Sequence, residues 1–482
     1  MNAVVVALGK IGLPLAVQVA GAGHAVTGCD IDEAVVATVN AGEEPFPGEA
    51  QLAGRLAGAV ADGTLTATAD TTAAVAAGPD LVIAVPPLMT GEDGTTDWTA
   101  LDAVVEAIGA GLQAGTTVSL ETTVPVGTTR RRIAPGLEAA SGLTEGVDFH
   151  LVFSPERVFS GRVFADLAAY PKLVGGLSAE GEARGVELYA QFLDAEVWGM
   201  GSAEAAELAK LAETTYRDLN IAFANELALF AEREGVNVDR VIEAANSQPF
   251  SHIHRPGIAV GGHCIPVYPR FYLEGDPDAA LPAAAREVNE AMPAHAVARL
   301  GEAIGGLDGK TVLILGVAYR GGVKETAFSG AFPAADELRG AGARAVAADP
   351  LYDAAELEAL GFEPWDGGAV DAIIGQADHP ESAALDPAAY PGVKAVLDGR
   401  GRPLYSIDRT PGTVISSRWL PMGAGSCTVK DLNGVVLSSQ VGLNWQKAGG
   451  GWSPNAVVQR EQWSDGAVTG IALSSYGGVG DT

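Results

Sequence analysis

Five short runs of mostly apolar or β-branched residues in the first 153 residues are each of strand length, and stretches of helical character separate them. They are Ala3–Leu8, Ala25–Cys29, Asp80–Val85, Thr116–Glu121 and His150–Phe153. Runs of this composition are typical of buried strands, and their alternation with helices predicts a parallel, doubly wound α/β sheet. Such sheets bind ligands at the carboxyl ends of their strands, where Pro86 and Thr123 fall.

A long helix is predicted from about Gly201 to Glu234, because Ala, Leu and Glu dominate this stretch and no glycine or proline lies between its two ends. Its notable polar residues are Lys210, Thr214 and Arg217 on one face, with Asn220 and Asn225 further along. Polar groups on a largely apolar helix indicate a site, but a solvated helix face has the same pattern. The spacing alone leaves both interpretations open.

A second set of alternating strands and helices begins at Lys310–Gly316. Its further strands are predicted at Ala343–Asp349, Asp371–Gly375 and Ala395–Asp398. Beyond them, Asn433-Gly434 and Asp465-Gly466 interrupt alternating stretches and favour β-hairpins. We therefore expect two Rossmann-like, doubly wound α/β domains joined by a central long-helix domain, followed by an unassigned tail of β-rich character.

Charge divides the chain at a similar place. The net charge is −30 at pH 7; residues 1–400 hold 24 Lys and Arg against 55 Asp and Glu, whereas residues 401–482 hold 6 against 5 and four of the seven tryptophans. The shift predicts a boundary near Arg400–Gly401. The predicted domains are residues 1–195, 196–300, 301–400 and 401–482. So acidic a chain is not expected to bind nucleic acid or an anionic membrane surface.

Cysteine content and hydropathy predict a cytoplasmic protein. The chain has three scattered cysteines, without a disulfide framework or the ligand spacing of a metal site. No basic segment precedes the first apolar run, and that run is only of strand length, so we expect neither a secretory signal nor a membrane span.

The first strand and helix carry a dinucleotide-binding pattern. Gly9-Lys10-Ile11-Gly12 connects them: Gly9 lets the backbone approach a pyrophosphate at the helix N-terminus, and Gly12 lets the helix pack closely on the strand. Ala7 stands where the fingerprint usually has its first glycine. Asp30 ends the second strand and is expected to bind the ribose hydroxyls, which favours NAD over NADP. The alternative is an acidic turn residue, and Asp32 is the weaker candidate for the ribose.

Cys264 lies in the run Gly261-Gly262-His263-Cys264-Ile265-Pro266, which is too rich in glycine and proline for a helix or strand. A thiol on such a loop suits a nucleophile, because glycine permits close approach and His263 can favour the thiolate. The alternative is a small buried apolar residue.

Together these motifs resemble the nucleotide-sugar dehydrogenases of the UDP-glucose and UDP-N-acetylmannosamine type. The matching stretches, in the family's order, are Gly9–Pro14, Thr123–Thr129, Ser154–Val158, Lys210 with Tyr216-Arg217 and Asn220, Gly261–Pro266, and Asp398-Gly399-Arg400. Ser154-Pro155-Glu156-Arg157 and the Gly-Gly-His-Cys run are similar to the branch that acts on UDP-N-acetylhexosamines.

The resemblance implies oxidation of a sugar C6 alcohol to a uronic acid with two NAD, through a thiohemiacetal and a thioester on Cys264. It implies Glu156 as general base on water, Lys210 as oxyanion partner, Thr123 as the residue that positions a water, and Asn220 as a further catalytic or sugar-binding group. It also implies a homodimer formed through the central helices, with the first domain binding NAD and the third UDP.

The binding residues implied fall into two sets. NAD is expected to contact Gly9, Lys10, Ile11, Gly12, Asp30, Pro86 and Thr123. The UDP-sugar is expected to contact Arg157, Lys210, Asn220, Arg255, Gly261, His263, Arg320 and Lys324. No metal is expected.

The chain departs from the family pattern at several positions. Thr214 replaces an asparagine, Tyr268 an aspartate, Ala327 an arginine that often holds UDP, and Val35 an arginine that often supports the adenosine; residues 401–482 do not resemble the usual ending. UDP-glucose stays open as substrate. A single-hydride dehydrogenase, which has no need of Cys264, also stays open, and the departures at Thr214, Tyr268 and Ala327 leave open a nucleotide-sugar-binding protein without catalysis. NADH formed per sugar separates these functions: two, one or none.

Overall fold

The computed structural model describes residues 1–91, 95–159, 161–382 and 389–399, together with the backbone of short strands between residues 404 and 473. The chain divides into two compact units. The first contains Met1–Thr215 and Val267–Asp278, and the second contains Tyr216–Pro266 and the chain from Ala279 onward.

An eight-stranded sheet forms the centre of the first unit. Its strands are β1 (Asn2–Val6), β2 (Ala25–Cys29), β3 (Leu65–Thr68), β4 (Leu81–Ala84), β7 (Thr117–Leu120), β8 (His150–Phe153), β9 (Lys172–Gly176) and β10 (Val197–Gly199), and a separate hairpin contains β5 (Met89–Thr90) and β6 (Thr96–Asp97). The order is β10-β9-β8-β7-β4-β1-β2-β3. All neighbours pair in parallel except β8 and β9, which pair antiparallel.

Helices cover both faces of this sheet. They are α1 (Gly12–Gly21), α2 (Glu33–Asn40), α3 (Leu52–Ala61), α4 (Thr71–Ala76), α5 (Thr99–Gly111), a π-helical turn (Thr129–Ile133), α6 (Ala134–Ser141), α7 (Val163–Ala169), α8 (Ala179–Tyr189), the start of α9 (Ala203–Arg233), and α11 (Tyr268–Gly275). Successive residues of β1 point to opposite faces. Val5 therefore joins the core under α1, α3 and α8, whereas Val4 and Val6 join the core under α5 and α6.

The second unit has a parallel sheet of similar plan. It contains β11 (Thr311–Leu315), β12 (Arg344–Ala348), β13 (Glu363–Pro364), β14 (Ala372–Gly375) and β15 (Ala395–Asp398), in the order β13-β12-β11-β14-β15. Its helices are the remainder of α9, α10 (Val238–Asn246), α12 (Ala280–Ile304), α13 (Ala331–Gly340), α14 (Ala354–Ala359) and a 3₁₀ turn (Pro380–Ser382). Val312 and Ile314 pack under α12 and α13, and Leu313 and Leu315 pack on the other face.

These observations confirm the predicted fold class. Each predicted strand is present, with ends that differ by at most two residues, and the long predicted helix is α9. The antiparallel pairing of β9 differs from the purely parallel sheet that the alternation predicts. Within the part of the chain that the structure describes, no helix has both the length and the apolar character needed to cross a bilayer.

The tail contributes backbone strands only. They are β16 (Leu404–Ile407), β17 (Val414–Leu420), β18 (Gly423–Lys430), β19 (Val436–Ser439), β20 (Val458–Arg460), β21 (Trp463–Ser464), β22 (Ala467–Val468) and β23 (Ile471–Leu473). The predicted turns Asn433-Gly434 and Asp465-Gly466 lie outside the described residues. The boundaries of the four predicted domains stay predictions.

The turn from β1 to α1 has a close approach that only glycine allows. A Cβ on Gly12 would lie 1.9 Å from the carbonyl oxygen of Ala7. Ala7 itself has φ +74°, in the left-handed region that strongly favours glycine. The residue that departs from the fingerprint thus keeps the backbone conformation that the usual glycine would adopt.

We predict that Ala7→Gly raises the free energy of unfolding by about 1 kcal/mol. Removing the Cβ relieves the strain of the left-handed backbone in the folded protein, and this gain exceeds the loss that comes from the greater conformational entropy of the unfolded chain. The measurement is the midpoint of denaturant unfolding. Ala37→Gly is the matched control: Ala37 is an exposed residue within α2, and glycine there should destabilise by roughly 1 kcal/mol. A loss of stability in both variants would contradict the assigned strain.

Candidate active site

The β1–α1 turn and the end of β2 fit a dinucleotide. A Cβ on Gly9 would meet no atom within 4 Å, so the space beside this backbone is open. Asp30 is fixed at the end of β2, since the backbone N–H groups of Leu8 and Asp32 donate to its two carboxylate oxygens over 2.8 and 3.0 Å. An anchored carboxylate beside a glycine turn at a helix N-terminus is suited to ribose and pyrophosphate. Lys10 is exposed and Ile11 half-buried in the same turn.

Val35 takes a structural role in this region. Its side chain is half-buried and packs against the core beneath α1. An arginine that reaches toward an adenosine is therefore replaced by a packing residue.

The loops that follow β4 and β7 are joined by a hydrogen bond. Thr122 Oγ1 donates to the carbonyl oxygen of Pro86 over 2.5 Å, and both Pro86 and Thr123 are buried. The two predicted NAD contacts therefore belong to one connected edge of the sheet, at the carboxyl ends of its central strands.

Glu207 of α9 fastens the segment that continues from Thr123. Its carboxylate accepts hydrogen bonds from Gly127 N, Thr129 N (2.9 Å) and Thr129 Oγ1 (2.6 Å). Burial raises the pKa of Glu207 even though these donors favour its ionised form. The amides at the start of the π-helical turn thereby gain an acceptor that no strand provides. No sequence motif predicts this contact, since the two segments are far apart along the chain.

Glu156 follows β8 and is nearly buried. Its Oε1 accepts from the N–H of Arg157 over 2.6 Å, and its Oε2 accepts from Lys172 Nζ over 3.0 Å. Arg157 in turn donates from Nε to Glu213 over 2.9 Å and from Nη1 to the carbonyl of Pro171 over 3.2 Å. Both charged residues of the Ser-Pro-Glu-Arg stretch are thus held in place.

Lys210 is buried on α9, with only 6% of its surface exposed. Its Nζ lies 3.3 Å from Glu213 Oε1 and 5.7 Å from the centre of the Tyr268 ring. A solvated helix face does not fit this environment. Glu213 was not predicted, although a position three residues after a lysine on a helix is a signal for such a pair.

Two of the departures are explained here. The hydroxyl of Thr214 bonds the carbonyl oxygens of Lys210 and Leu211 in its own helix, over 3.1 and 3.0 Å. Tyr268, where an aspartate is usual, begins α11 and places its ring beside the Lys210 ammonium, within the range of a cation–π contact. The carboxylate that accepts from Lys210 comes from Glu213 instead.

In the second unit, Cys264 is exposed, which argues against a small buried apolar residue. Glycines shape the preceding backbone. A Cβ on Gly261 would lie 2.6 Å from Tyr319 Cβ, and Gly262 has φ +91°. His263 Nε2 lies 3.4 Å from Glu325 Oε2. The loop therefore presents a thiol next to an imidazole that a carboxylate faces, which is suited to nucleophilic chemistry.

Side chains from α9 and α12 hold this loop. Asn220 donates to the carbonyl of His252 over 2.7 Å and accepts from the N–H of His254 over 2.8 Å. Asn225 accepts from Gly257 N over 2.9 Å, and Arg286 Nη1 donates to the carbonyl of Ile265 over 3.4 Å. Asn220 thus contacts loop backbone at both ends of its amide, while its proposed contact with sugar stays a prediction.

The predicted UDP-binding cations differ in their surroundings. Arg255 is exposed, and Arg320 is half-buried with its Nε 3.2 Å from the hydroxyl of Tyr319. Lys324 is paired with Glu356 and lies 5.1 Å from the centre of the Tyr352 ring. Ala327, in place of the usual arginine, uses its carbonyl to accept from Gly262 N over 2.9 Å. Among the described residues, no group of three His, Cys, Asp or Glu is placed to hold a metal.

Comparison with known proteins places both units in one family. Residues 1–193 match the NAD binding domain of the UDP-glucose/GDP-mannose dehydrogenase family, and residues 204–291 match the central domain of that family.

Individual relatives agree. The chain is 35% identical over 412 residues to the UDP-N-acetyl-D-mannosamine dehydrogenase of Pyrococcus horikoshii, an alignment that covers 83% of this chain and 95% of that protein. It is 38% identical over 296 residues to the enzyme of the same name from Escherichia coli K12, covering 60% of this chain and 69% of that protein.

Solved structures show the same relation. The structure of the P. horikoshii enzyme superimposes with a TM-score of 0.75 at 34% identity and covers 83% of this chain and 95% of its own. A UDP-glucose dehydrogenase from Pyrobaculum islandicum gives 0.74 at 29% identity, covering 83% and 94%. The chain belongs to the UDP-glucose/GDP-mannose dehydrogenase family and is an NAD-dependent oxidoreductase.

Proposed function

We propose that this enzyme oxidises the C6 alcohol of a UDP-sugar to the uronic acid in two steps, with UDP-N-acetylmannosamine or a related UDP-N-acetylhexosamine as preferred substrate. The exposed thiol of Cys264, on a loop that glycines and asparagines shape, carries the proposal, because a two-step oxidation needs a covalent nucleophile, whereas a single-hydride dehydrogenase and a binding protein do not. The names of the relatives from P. horikoshii and E. coli support the substrate class.

The proposed reaction converts an alcohol, two NAD and one water into a carboxylate, two NADH and three protons. The β1–α1 turn and Asp30 would hold NAD, which would supply the hydride acceptor for each oxidation. After the first oxidation the Cys264 sulfur bonds to the aldehyde carbon as the C=O π bond breaks, and the thiol proton passes to the aldehyde oxygen, giving a thiohemiacetal. The second oxidation converts this to a thioester, so the aldehyde is never released.

Lys210 and Glu213 are proposed to act on the substrate oxygen. A buried ammonium stabilises the alkoxide, and later the oxyanion of the thiohemiacetal, more strongly than it would in water. Glu213, 3.3 Å from the ammonium, takes up the hydroxyl proton of the C6 alcohol in the first oxidation, in place of the aspartate that Tyr268 replaces. Thr123 is proposed to position a water beside this group.

Glu156 is proposed as the base for hydrolysis. The oxygen of water bonds to the thioester carbon, the carbon–sulfur bond breaks with its electron pair on Cys264, and the proton of the water passes to the Glu156 carboxylate. For recognition we propose Arg157, Asn220, Arg255, Gly261, His263, Arg320 and Lys324 as contacts of the UDP-sugar.

We further propose a cytoplasmic homodimer. Tyr216, Phe223 and Phe230 are 55%, 52% and 53% exposed on α9. Their seven-residue spacing places them on one side of the helix. Three exposed aromatic residues along one side of a helix favour contact with another surface. The resemblance to dimeric dehydrogenases favours a second copy of the chain as that surface.

The substrate prediction is tested with a panel of UDP-sugars. We expect UDP-N-acetylmannosamine to give two NADH per sugar and a product with the mass of the uronic acid, with a kcat/KM above that for UDP-glucose. One NADH per sugar, or a higher kcat/KM for UDP-glucose, would contradict the proposed function.

Cys264→Ser tests the nucleophile directly. A hydroxyl keeps the size of the thiol but is a far weaker nucleophile. The variant should bind NAD normally. It should either stop at the aldehyde or form uronic acid far more slowly than the wild type. Full uronic acid production would remove Cys264 from the mechanism.

Phe223→Glu combined with Phe230→Glu should convert the dimer to a monomer, because two charges on each copy cannot be buried against an apolar partner. Light scattering after size exclusion measures the mass. Val147→Glu, at an exposed apolar residue outside α9, should leave the dimer intact. A monomeric wild type, or a dimer that survives both glutamates, would contradict this interface.

A further inference from the structure

A buried lysine lies behind Glu156. Lys172 is the first residue of β9 and is 4% exposed. Its Nζ donates to Glu121 Oε2 over 2.7 Å and to Glu156 Oε2 over 3.0 Å. On the far side, the Tyr189 hydroxyl donates to Glu121 Oε1 and lies 2.8 Å from Ser119 Oγ. One ammonium is thus shared by two carboxylates, and only Glu156 is at the edge of the cluster.

The cluster contains two carboxyl groups and one ammonium group. Burial raises the pKa of Glu121 to about 7, against the lowering effect of Lys172, and the charge of Glu156 adds to the rise. Burial acts to lower the pKa of Lys172, but Glu121 and Glu156 outweigh it and raise that pKa. Such a buried group is weak evidence for stability, since apolar residues could fill the same space without the desolvation penalty. Its position next to a proposed base favours a functional role.

We propose that Lys172 is a positioning residue for Glu156 in thioester hydrolysis and that Glu121 anchors the lysine. This inference rests on the proposed function. The geometry supports it, since the two oxygens of Glu156 are bonded by Lys172 and by the N–H of Arg157, which fixes the plane of the carboxylate while lone pairs stay available for a proton from water.

Glu121 has a second effect in this arrangement. Lys172 donates to Glu121 over 2.7 Å and to Glu156 over 3.0 Å. Its positive charge is therefore shared between two carboxylates, and Glu121 holds the ammonium in the place from which it orients Glu156.

The test is Lys172→Met, examined by rapid quench and intact mass. Positioning of the hydrolytic base predicts a burst of two NADH per active site at the wild-type rate. Turnover should then slow by about tenfold to a hundredfold, part of the roughly 10²- to 10⁴-fold contribution of a general base, while the acyl thioester accumulates on Cys264. A structural role alone would slow the burst as well.

The single variant leaves two buried carboxylates without a counter-ion and could unfold. Lys172→Met with Glu121→Gln removes the pair together and should fold, yet still accumulate the thioester. Lys172→Arg should restore part of the turnover. Lys394→Met is the matched control, because Lys394 forms an exposed ion pair with Asp371 over 2.7 Å and its loss should leave the kinetics unchanged.

The outcomes are distinct. Thioester accumulation in the double variant supports the role of Lys172. Wild-type hydrolysis in the double variant, or equal slowing of the burst and of turnover, overturns it while the proposed function stands. A wild-type enzyme that forms no NADH from any UDP-sugar overturns the proposed function and this inference with it.

Discussion

Backbone amides in the irregular segments of the candidate site need hydrogen-bond acceptors, and neither a strand nor a helix supplies them. Buried N–H groups without acceptors are strongly unfavourable. Side chains of α9 meet this requirement: Glu207 accepts from Gly127 and Thr129, Asn220 from His254, and Asn225 from Gly257. The segment after Thr123 and the loop that carries Cys264 therefore have defined shapes, although they contain little regular structure.

The requirement that buried polar groups have hydrogen-bond partners also explains other polar residues of α9. Asn225 also donates to Asn289 over 2.8 Å, and Asn289 donates to Asp218 over 2.8 Å. These buried bonds connect α9, α12 and the loop at Gly257 into one network in the second unit. Networks of this kind specify a unique arrangement when their members are paired. The spacing of polar residues along α9 is the same for such a buried network and for a solvated helix face, so the sequence pattern does not distinguish them.

Much of the fold follows from local patterns in the sequence. Short runs of mostly apolar or β-branched residues predicted β1, β2, β4, β7 and β8 within two residues, because such residues favour buried strands. β3 and β9 were not predicted: β3 reads Leu-Thr-Ala-Thr, and β9 begins with a lysine. A lysine can begin a buried strand here because Glu121, 51 residues earlier, and Glu156 compensate its charge. Partners so distant in sequence have no local signature, and the same holds for Glu207 and Glu325.

The departures from the family pattern show how tertiary contacts replace a motif. Tyr268 removes a carboxylate, but Glu213 places one beside Lys210. Ala327 lacks a guanidinium, and its backbone accepts from Gly262 in the loop of Cys264. Ala7 lacks the freedom of glycine but keeps the left-handed backbone, so that α1 still packs on β1 through Gly12. Motif matching identifies the family, whereas the contacts show how this chain satisfies its requirements.

The proposed mechanism depends on Cys264, which is proposed to carry the sugar as a thioester between the second oxidation and hydrolysis. Mass analysis of the Cys264 peptide, from wild-type enzyme that is acid-quenched during turnover of a UDP-sugar, detects this intermediate. A thioester intermediate predicts an adduct on Cys264 with the mass of the acyl group, which disappears when the substrate is exhausted. An unmodified Cys264, in enzyme that nevertheless forms two NADH per sugar and whose turnover is limited by hydrolysis, would contradict it.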